Sequence, residues 1–372
     1  MDLPQLDPSV PKHKALSEYI RQQIADGVFR RGDKLTSENT LAEEFNISRQ
    51  TVRQAIGTLE TEGILVRRRG SGTYINASPV KSHRTMTIGV VITYVDSYIF
   101  PDIIKGIEQV LTSKGYTMSL GVTHNRVENE TRLLTSLLEK GVDGIIAEGT
   151  KTALPNPNLH LYEQLNRCRI PYVFMNGYYR ALPCCYVVTD DRGTGYKAAE
   201  LLRKAGHSHI GGIFKADDMQ GHERYAGFIQ QLHESGAELD EDAVLWYSTG
   251  DLISLLSGDY DKQVMKRLKL CTGVVCYNDD VAMRLMELLK RGGRRVPEDI
   301  SIVSIDNARM SKLADPPLTT FEHPSEAVGR EAALRLCNMI DTGMRDAPVV
   351  MDMPLVERQS IAVYSPRNGA DR

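Results

Sequence analysis

The chain has 372 residues, 41% hydrophobic and 25% charged, enough for two or three compact units with cores of their own. It has no apolar run of about 18 residues and no signal-peptide core near its start, which argues against a helical membrane span and points to the cytoplasm. Its six cysteines, Cys168, Cys184, Cys185, Cys271, Cys276 and Cys337, form no Cys-x-x-Cys pair with histidine spacing. Neither a zinc site nor a disulfide framework is indicated, and no cofactor is expected. The net charge of −3 is unevenly spread: residues 1–85 hold 13 Lys/Arg against 10 Asp/Glu, the remainder 32 against 38. A basic start on an acidic body suits an anionic polymer bound at one end, although so mild an imbalance decides nothing alone.

From the amino terminus, Leu16, Tyr19, Ile20, Gln23 and Ile24 recur at helical spacing and predict a helix over 14–26. Ser37 is placed to cap a short helix from Glu38 to Phe45, with the acidic Glu38 at its positive end. Asn46 gives a turn, and Ser48 caps a third helix that reaches a stop at Gly63. That helix opens Arg49-Gln50-Thr51 and carries Val52, Ile56 and Leu59 on its other side, so one face can be buried while the other is offered to bases. Residues 64–66 and 73–75 read as two short strands around the basic turn Arg67-Arg68-Arg69-Gly70-Ser71-Gly72. This turn lacks the third glycine and the following helix of a dinucleotide site.

The capping serine, Arg-Gln-Thr-Val-Arg and Gly-x-Gly-Thr-Tyr strings, in that order, resemble the winged helix-turn-helix of GntR-family bacterial regulators over residues 11–76. The resemblance implies DNA contacts by Arg49, Gln50, Thr51 and Arg53 at the helix start. It also implies Arg69 and Gly72 in the wing, and Lys12 on phosphate. Arginine suits guanine edges and glutamine adenine. Glu38 is either a base reader or a helix-end carboxylate. The plainer alternative for all of these is a solvated helix face and a basic turn.

Residues 77–85 are polar, contain a proline and read as a linker between a DNA-binding domain (1–76) and an effector-binding and dimerisation domain (86–372). From Met86, buried strand-length runs alternate with helices. A first series is 87–92, 116–120, 144–147 and 172–175; a second is 187–188, 210–214, 244–246, 273–276 and 301–305. This predicts an α/β fold of two doubly wound parallel-sheet subdomains with a cleft between them, where ligands meet the carboxyl ends of strands. Those ends carry Tyr98, Phe100, Glu148, Lys151, Asn176, Tyr178, Asp190, Arg224, Asn278, Asp279, Asp306 and His323. Carboxylates and amides suit hydroxyl pairs, and aromatic faces suit the apolar side of a sugar ring. Simpler roles stay open: helix caps for Asp190, Asp191 and Asp279, an ion pair for Arg224, a loop histidine at 323. Asp217 and Asp218 read as an exposed loop pair, and His207 and His209 as surface residues.

Gly106-Ile-Glu, Arg224-Tyr-Ala-Gly-Phe, Tyr277-Asn-Asp, Val296-Pro-Glu-Asp and Leu318-Thr-Thr resemble the LacI/GalR effector domain, itself similar to periplasmic sugar-binding proteins. The resemblance puts Arg224, Asp279, Asp306 and His323 where that family meets its effector. The LacI headpiece and hinge helix are absent. A GntR-type reader on a LacI-type sensor resembles the arabinose-repressor family of bacteria, which implies a homodimer on palindromic operator DNA, released by a small sugar, L-arabinose first. Gly149 and Asn307 depart from that family's usual proline and acidic residue. Rival readings are another sugar, a nucleoside or a phosphosugar as effector, or a cleft enzyme using Asp279 and Asp306 as acid and base. No nucleophile elbow, metal pair or phosphate loop supports the enzyme.

Overall fold

The computed structural model describes residues 10–364 apart from 26–27, 31, 62–63, 69–70, 76–83, 97, 238, 257 and 259. It divides into two compact units, Met1–Arg84 and Thr85–Arg372. Gly63, Arg69 and linker residues 77–83 fall outside the described residues.

In the first unit, helices α1 (Lys12–Ala25), α2 (Glu38–Glu44) and α3 (Arg49–Thr61) precede an antiparallel hairpin of β1 (Leu65–Arg68) and β2 (Gly72–Ile75). Side-chain caps fix where the helices begin. Ser37 Oγ accepts the Thr40 N–H at 3.2 Å, and Ser48 Oγ accepts the Thr51 N–H at 3.1 Å, satisfying donors that a helix start leaves open. Leu16, Ile20, Leu41, Val52, Ile56, Leu59, Leu65 and Ile75 bury one face of each element in a single core. The opposite face of α3 is left to solvent.

The second unit has two six-stranded sheets. Its elements run β3 (Thr87–Ile92), α4 (Phe100–Ser113), β4 (Thr117–Val122), α5 (Val127–Lys140), β5 (Gly144–Ala147), α6 (Leu159–Arg167), β6 (Tyr172–Met175) and β7 (Cys185–Thr189). They continue with α7 (Asp191–Lys204), β8 (Ile210–Lys215), α8 (Met219–Glu234), β9 (Val244–Tyr247), α9 (Leu252–Leu256), α10 (Asp261–Arg267), β10 (Gly273–Cys276) and α11 (Asp279–Arg291). The last are β11 (Ser301–Asp306), β12 (Thr319–Glu322), α12 (Ser325–Thr342), β13 (Val349–Met351) and β14 (Leu355–Val356). The first sheet has the order β13-β7-β6-β5-β3-β4, all parallel. The second has the order β14-β12-β11-β10-β8-β9, parallel except for β14.

Helices cover both faces of each sheet, which is why the strands read as continuous apolar runs. In β3, Ile88, Val90 and Ile92 enter one core while Val91 enters the core opposite. In β10, Val274 and Cys276 face one core and Val275 the other. The expectation that residues 187–188 open the second series is corrected: β7 pairs with β6 and β13 in the first sheet. A period-two apolar run specifies a strand without specifying its sheet.

The chain therefore changes subdomain after β7, after β12 and between β13 and β14. These crossovers sit side by side and are pinned by backbone bonds, Asp190 N–H to Met351 O at 2.8 Å and Glu322 N–H to Pro354 O at 2.8 Å. Among the described residues no helix is long and apolar enough to cross a membrane.

Candidate functional site

On the first unit, Lys12, Arg49, Gln50, Arg53 and Gly72 are exposed, and Thr51 is half-buried. The exposed face of α3 thus presents Arg49, Gln50 and Arg53 together. Glu38 ties this face to the hairpin, since its carboxylate accepts Arg53 Nε at 2.8 Å and Arg67 Nη2 at 2.9 Å. Glu38 therefore organises two arginines from different elements, and Arg67 joins the surface more firmly than its position in a basic run suggested. Arg68 lies over the Tyr74 ring, 4.6 Å from its centroid, a cation–π contact that stiffens the hairpin. Gly72 has φ +117°, and Lys34 Cε lies 2.9 Å from where a Cβ would stand. A side chain there would strain the turn and displace the lysine.

In the second unit a cavity of about 390 Å³ lies between the sheets, beyond the carboxyl ends of their strands. Tyr98, Phe100, Glu148, Arg224, Asn278, Asp279 and Asp306 all line it. Asn176 does as well.

Arg224 anchors the floor. It is 1% exposed. Its Nε donates to Asp191 Oδ1 at 2.8 Å, Nη1 to the Tyr277 carbonyl at 2.5 Å and Nη2 to Asp306 Oδ1 at 3.3 Å. The guanidinium also sits 4.7 Å from the Tyr277 ring centroid. Arg224 therefore forms the ion pairs that the simpler reading allowed and also lines the cavity. Burial pushes the Asp191 carboxyl up to about 6, against the pull of Arg224. Asp306 ends β11 at φ +105°, a conformation that costs strain, and its carboxylate reaches across the cleft. There Oδ2 accepts the Tyr98 hydroxyl at 2.6 Å. The Asp279 N–H donates to the same hydroxyl at 3.2 Å.

Asp279 is held from within the fold. Oδ1 accepts the Ser304 hydroxyl, and also the Thr320 hydroxyl at 2.8 Å; Oδ2 accepts the Ala308 N–H at 2.6 Å. Burial pushes its carboxyl up to about 7 despite those donors. The cap of α11 is Asn278, whose Oδ1 accepts the Val281 N–H at 3.1 Å. Asp190 caps α7 through the Gly193 N–H at 2.9 Å. Across the cavity, Glu148 accepts the Thr93 N–H at 2.8 Å and Asn176 Nδ2 at 2.9 Å, and burial raises its pKa.

Three predicted residues lie elsewhere. Tyr178 lines a neighbouring cavity of about 210 Å³ and stacks on Tyr186 at 3.9 Å. Asn176, at φ 61°, turns the chain away from the main cavity just before it. Lys151, at φ 48°, is bound through its backbone N–H to Asn125 Oδ1 at 2.9 Å and does not line the main cavity. His323 is buried in the second crossover rather than in the cavity wall. Its Nδ1 meets Ser325 Oγ at 2.9 Å, its Nε2 has no partner, and burial pushes its pKa down to about 4.

Two surface expectations are also corrected. Asp217 is 2% exposed, and its carboxylate accepts the Thr249 N–H at 3.0 Å. Asp218 lines the main cavity. His207 is 2% exposed and bonds Thr272 and the Ala362 carbonyl, while His209 is exposed.

Sequence reading missed Tyr94, Lys215, Asp218, Gln220, Tyr247, Thr249, Tyr277 and Arg284 as lining residues. Lys215 and Tyr247 end strands β8 and β9, so the strand-end rule could have found them. All three cations among the lining residues are already paired. Lys215 contacts Asp218, Arg224 its two aspartates, and Arg284 Nε lies 3.1 Å from Asp280. Burial works against the Lys215 ammonium, but Asp218 and Asp217 outweigh it and raise its pKa.

Comparison with known proteins matches this two-part build. Residues 12–75 match the model of bacterial regulatory proteins of the gntR family, and residues 199–361 that of the periplasmic binding protein-like domain. The chain is 34% identical over 369 residues to the arabinose metabolism transcriptional repressor of Halalkalibacterium halodurans, covering 96% of this chain and 98% of that protein. It is 37% identical over 336 residues to the arabinose metabolism transcriptional repressor of Geobacillus stearothermophilus, covering 90% and 92%. The chain belongs to the family of arabinose metabolism transcriptional repressors. Its sensor also resembles the crystal structure of the transcription regulator CcpA of Lactococcus lactis, with TM-score 0.66 and 26% identity over 75% of this chain and all of that one. Members of this family are regulators rather than enzymes, and nothing at Asp279 argues otherwise, since its oxygens are engaged within the fold.

Proposed function

We propose that this chain is a cytoplasmic, homodimeric transcriptional repressor that leaves palindromic operator DNA when L-arabinose enters the cavity between its sheets. The observation that carries the ligand class is the pairing of every lysine and arginine that lines the cavity. A phosphate or carboxylate ligand would meet cations whose charge Asp218, Asp191, Asp306 and Asp280 already balance, whereas a neutral polyol needs only to exchange hydrogen bonds with these groups. Tyr94, Tyr98, Phe100, Tyr247 and Tyr277 supply ring faces for the apolar side of a sugar. The relatives' names supply the choice of L-arabinose among neutral sugars.

DNA contact is assigned to Lys12, Arg49, Gln50, Thr51, Arg53, Arg69 and Gly72, with Glu38 orienting Arg53 and Arg67. Two readers in one dimer engage two half-sites, and phosphate contacts make the affinity fall steeply with salt. The sugar acts by preferring the state that does not hold DNA. A coupling of about 1–3 kcal/mol is enough.

The test is calorimetric titration of the purified chain with L-arabinose, D-xylose, D-ribose, D-galactose and ribose 5-phosphate, with sedimentation to fix the oligomer. L-Arabinose is expected to bind best and the phosphosugar not at all. Preferential binding of the phosphosugar would overturn the ligand class, and a strictly monomeric chain would overturn the dimer.

A further inference from the structure

The buried guanidinium of Arg224 needs helix α8 at one particular depth, and that depth is set by residues without side chains. A Cβ added to Gly195 of α7 would lie 2.0 Å from the Arg224 carbonyl oxygen, 2.7 Å from its carbonyl carbon and 2.8 Å from its Cα. Reciprocally, a Cβ at Gly227 of α8 would lie 1.9 Å from the Arg192 carbonyl oxygen and 2.7 Å from the Tyr196 nitrogen. At the start of α8, a Cβ at Gly221 would lie 2.0 Å from the Lys215 carbonyl oxygen. No real Cβ tolerates such distances to backbone, which unlike a side-chain tip cannot swing aside.

The same crossing fixes both ends of the key ion pair. Asp191 is the first residue of α7, one turn before Gly195, and accepts Arg224 Nε at 2.8 Å. The Arg224–Asp306 contact, at 3.3 Å, is already near the limit of a hydrogen bond and has no slack for a retreating helix. The first subdomain has a similar crossing, where a Cβ at Gly106 would meet the Glu326 carbonyl and one at Gly329 the Ile103 carbonyl. There the touching backbone belongs to residues that do not line the cavity.

We propose that Gly195 is a positioning residue for the effector site, and that by letting α8 rest directly on α7 it delivers Arg224 to Asp306 and to the ligand. This rests on the reading of the cavity as the effector site. Gly195 acts through Arg224 and touches no ligand itself.

The experiment uses the full-length chain with Gly195→Ala and, as a second variant, Gly227→Ala. Ligand-free crystal structures should show α8 moved off α7 and the Arg224–Asp306 contact broken. An Arg224 that keeps its bonds to Asp191, Tyr277 and Asp306 overturns the proposal whatever the ligand proves to be. L-Arabinose titrations are then run on wild type, Gly195→Ala, Arg224→Ala and the double variant. Gly195→Ala should weaken binding at least tenfold, and adding it to Arg224→Ala should weaken binding no further, as two residues acting as a unit require. Fully additive losses would mark Gly195 as plain packing and overturn the proposal, as would loss of the whole fold in both alanine variants. If wild type ignores L-arabinose, the choice of sugar has failed, and the crystal structures decide the positioning claim separately.

Discussion

Replacing Arg224 by alanine should produce an effector domain whose stability depends on pH in an unusual direction. In the native fold the guanidinium lies between Asp191 and Asp306, donates also to a backbone carbonyl and covers the Tyr277 ring. Removing one partner of a buried ion pair typically costs about 3–5 kcal/mol, because the other charge stays buried without compensation. Here two carboxylates are stranded, so a loss of about 5 kcal/mol at pH 7 is expected. The Asp191 carboxyl, already pushed up to about 6 by burial in the native fold, then loses the opposing pull of Arg224 and rises further above the ordinary carboxylate range of about 4. A group whose folded pKa is raised stabilises below its unfolded value and loses that stability as pH climbs through the folded value. The deficit relative to wild type should therefore shrink as pH falls from 7 to 5. Trp246, the single tryptophan of the chain, is in β9 of the second sheet and reports urea unfolding of this domain alone. L-Arabinose should raise the wild-type midpoint and, at the same concentration, raise that of Arg224→Ala by much less, since its binding is weakened. A loss under about 1 kcal/mol, or a deficit independent of pH, would refute the reasoning, since buried-pair energetics allow neither.

Other expectations are simpler. Arg49→Ala should cost about 1–3 kcal/mol of operator affinity with sugar binding unchanged; gel shifts matching wild type would remove Arg49 from the interface. Ser48→Ala removes the cap of α3 and should lower the stability of the amino-terminal unit by about 0.5–2 kcal/mol, read by thermal melting. His323, whose buried ring titrates at about 4, is taken to titrate near 6.5 when unfolded. It should make stability fall as pH drops from about 6.5 towards 4, since the unfolded chain takes a proton that the folded one refuses. Comparing His323→Gln with wild type isolates this slope, which can reach about 1.4 kcal/mol per pH unit. Equal slopes for the two proteins would contradict the buried, neutral imidazole.

How much of this was legible depends on how local the physics is. Ser48 and its helix could be read because a cap acts three residues away, and α3 because its apolar spacing buries one face only. The parallel sheets could be read because strands covered on both faces are apolar throughout. The placement of β7 could not, since pairing with β6 or β8 leaves the same trace. At the cavity, Tyr98, Glu148 and Asp306 follow from strand-end geometry, whereas Arg224 reaches it from within helix α8. Tyr178 and Lys151 miss it because left-handed backbone at Asn176 and Lys151 redirects the chain; asparagine tolerates that conformation without requiring it, and lysine gives no sign of it. Asp217 looks exposed in sequence because its partners, Asn125 and Thr249, are brought to it only by the fold.

The proposed repressor turns on one coupling, between a neutral sugar in the sensor and duplex DNA on the reader. Fluorescence anisotropy of a labelled operator bound to the full-length chain, titrated with L-arabinose at fixed salt, measures it directly. A fall in operator affinity of roughly 5–150-fold at saturation, the range of ordinary allosteric coupling, is the result expected. Operator affinity unchanged by saturating L-arabinose, and by each neutral aldose tried beside it, would contradict it.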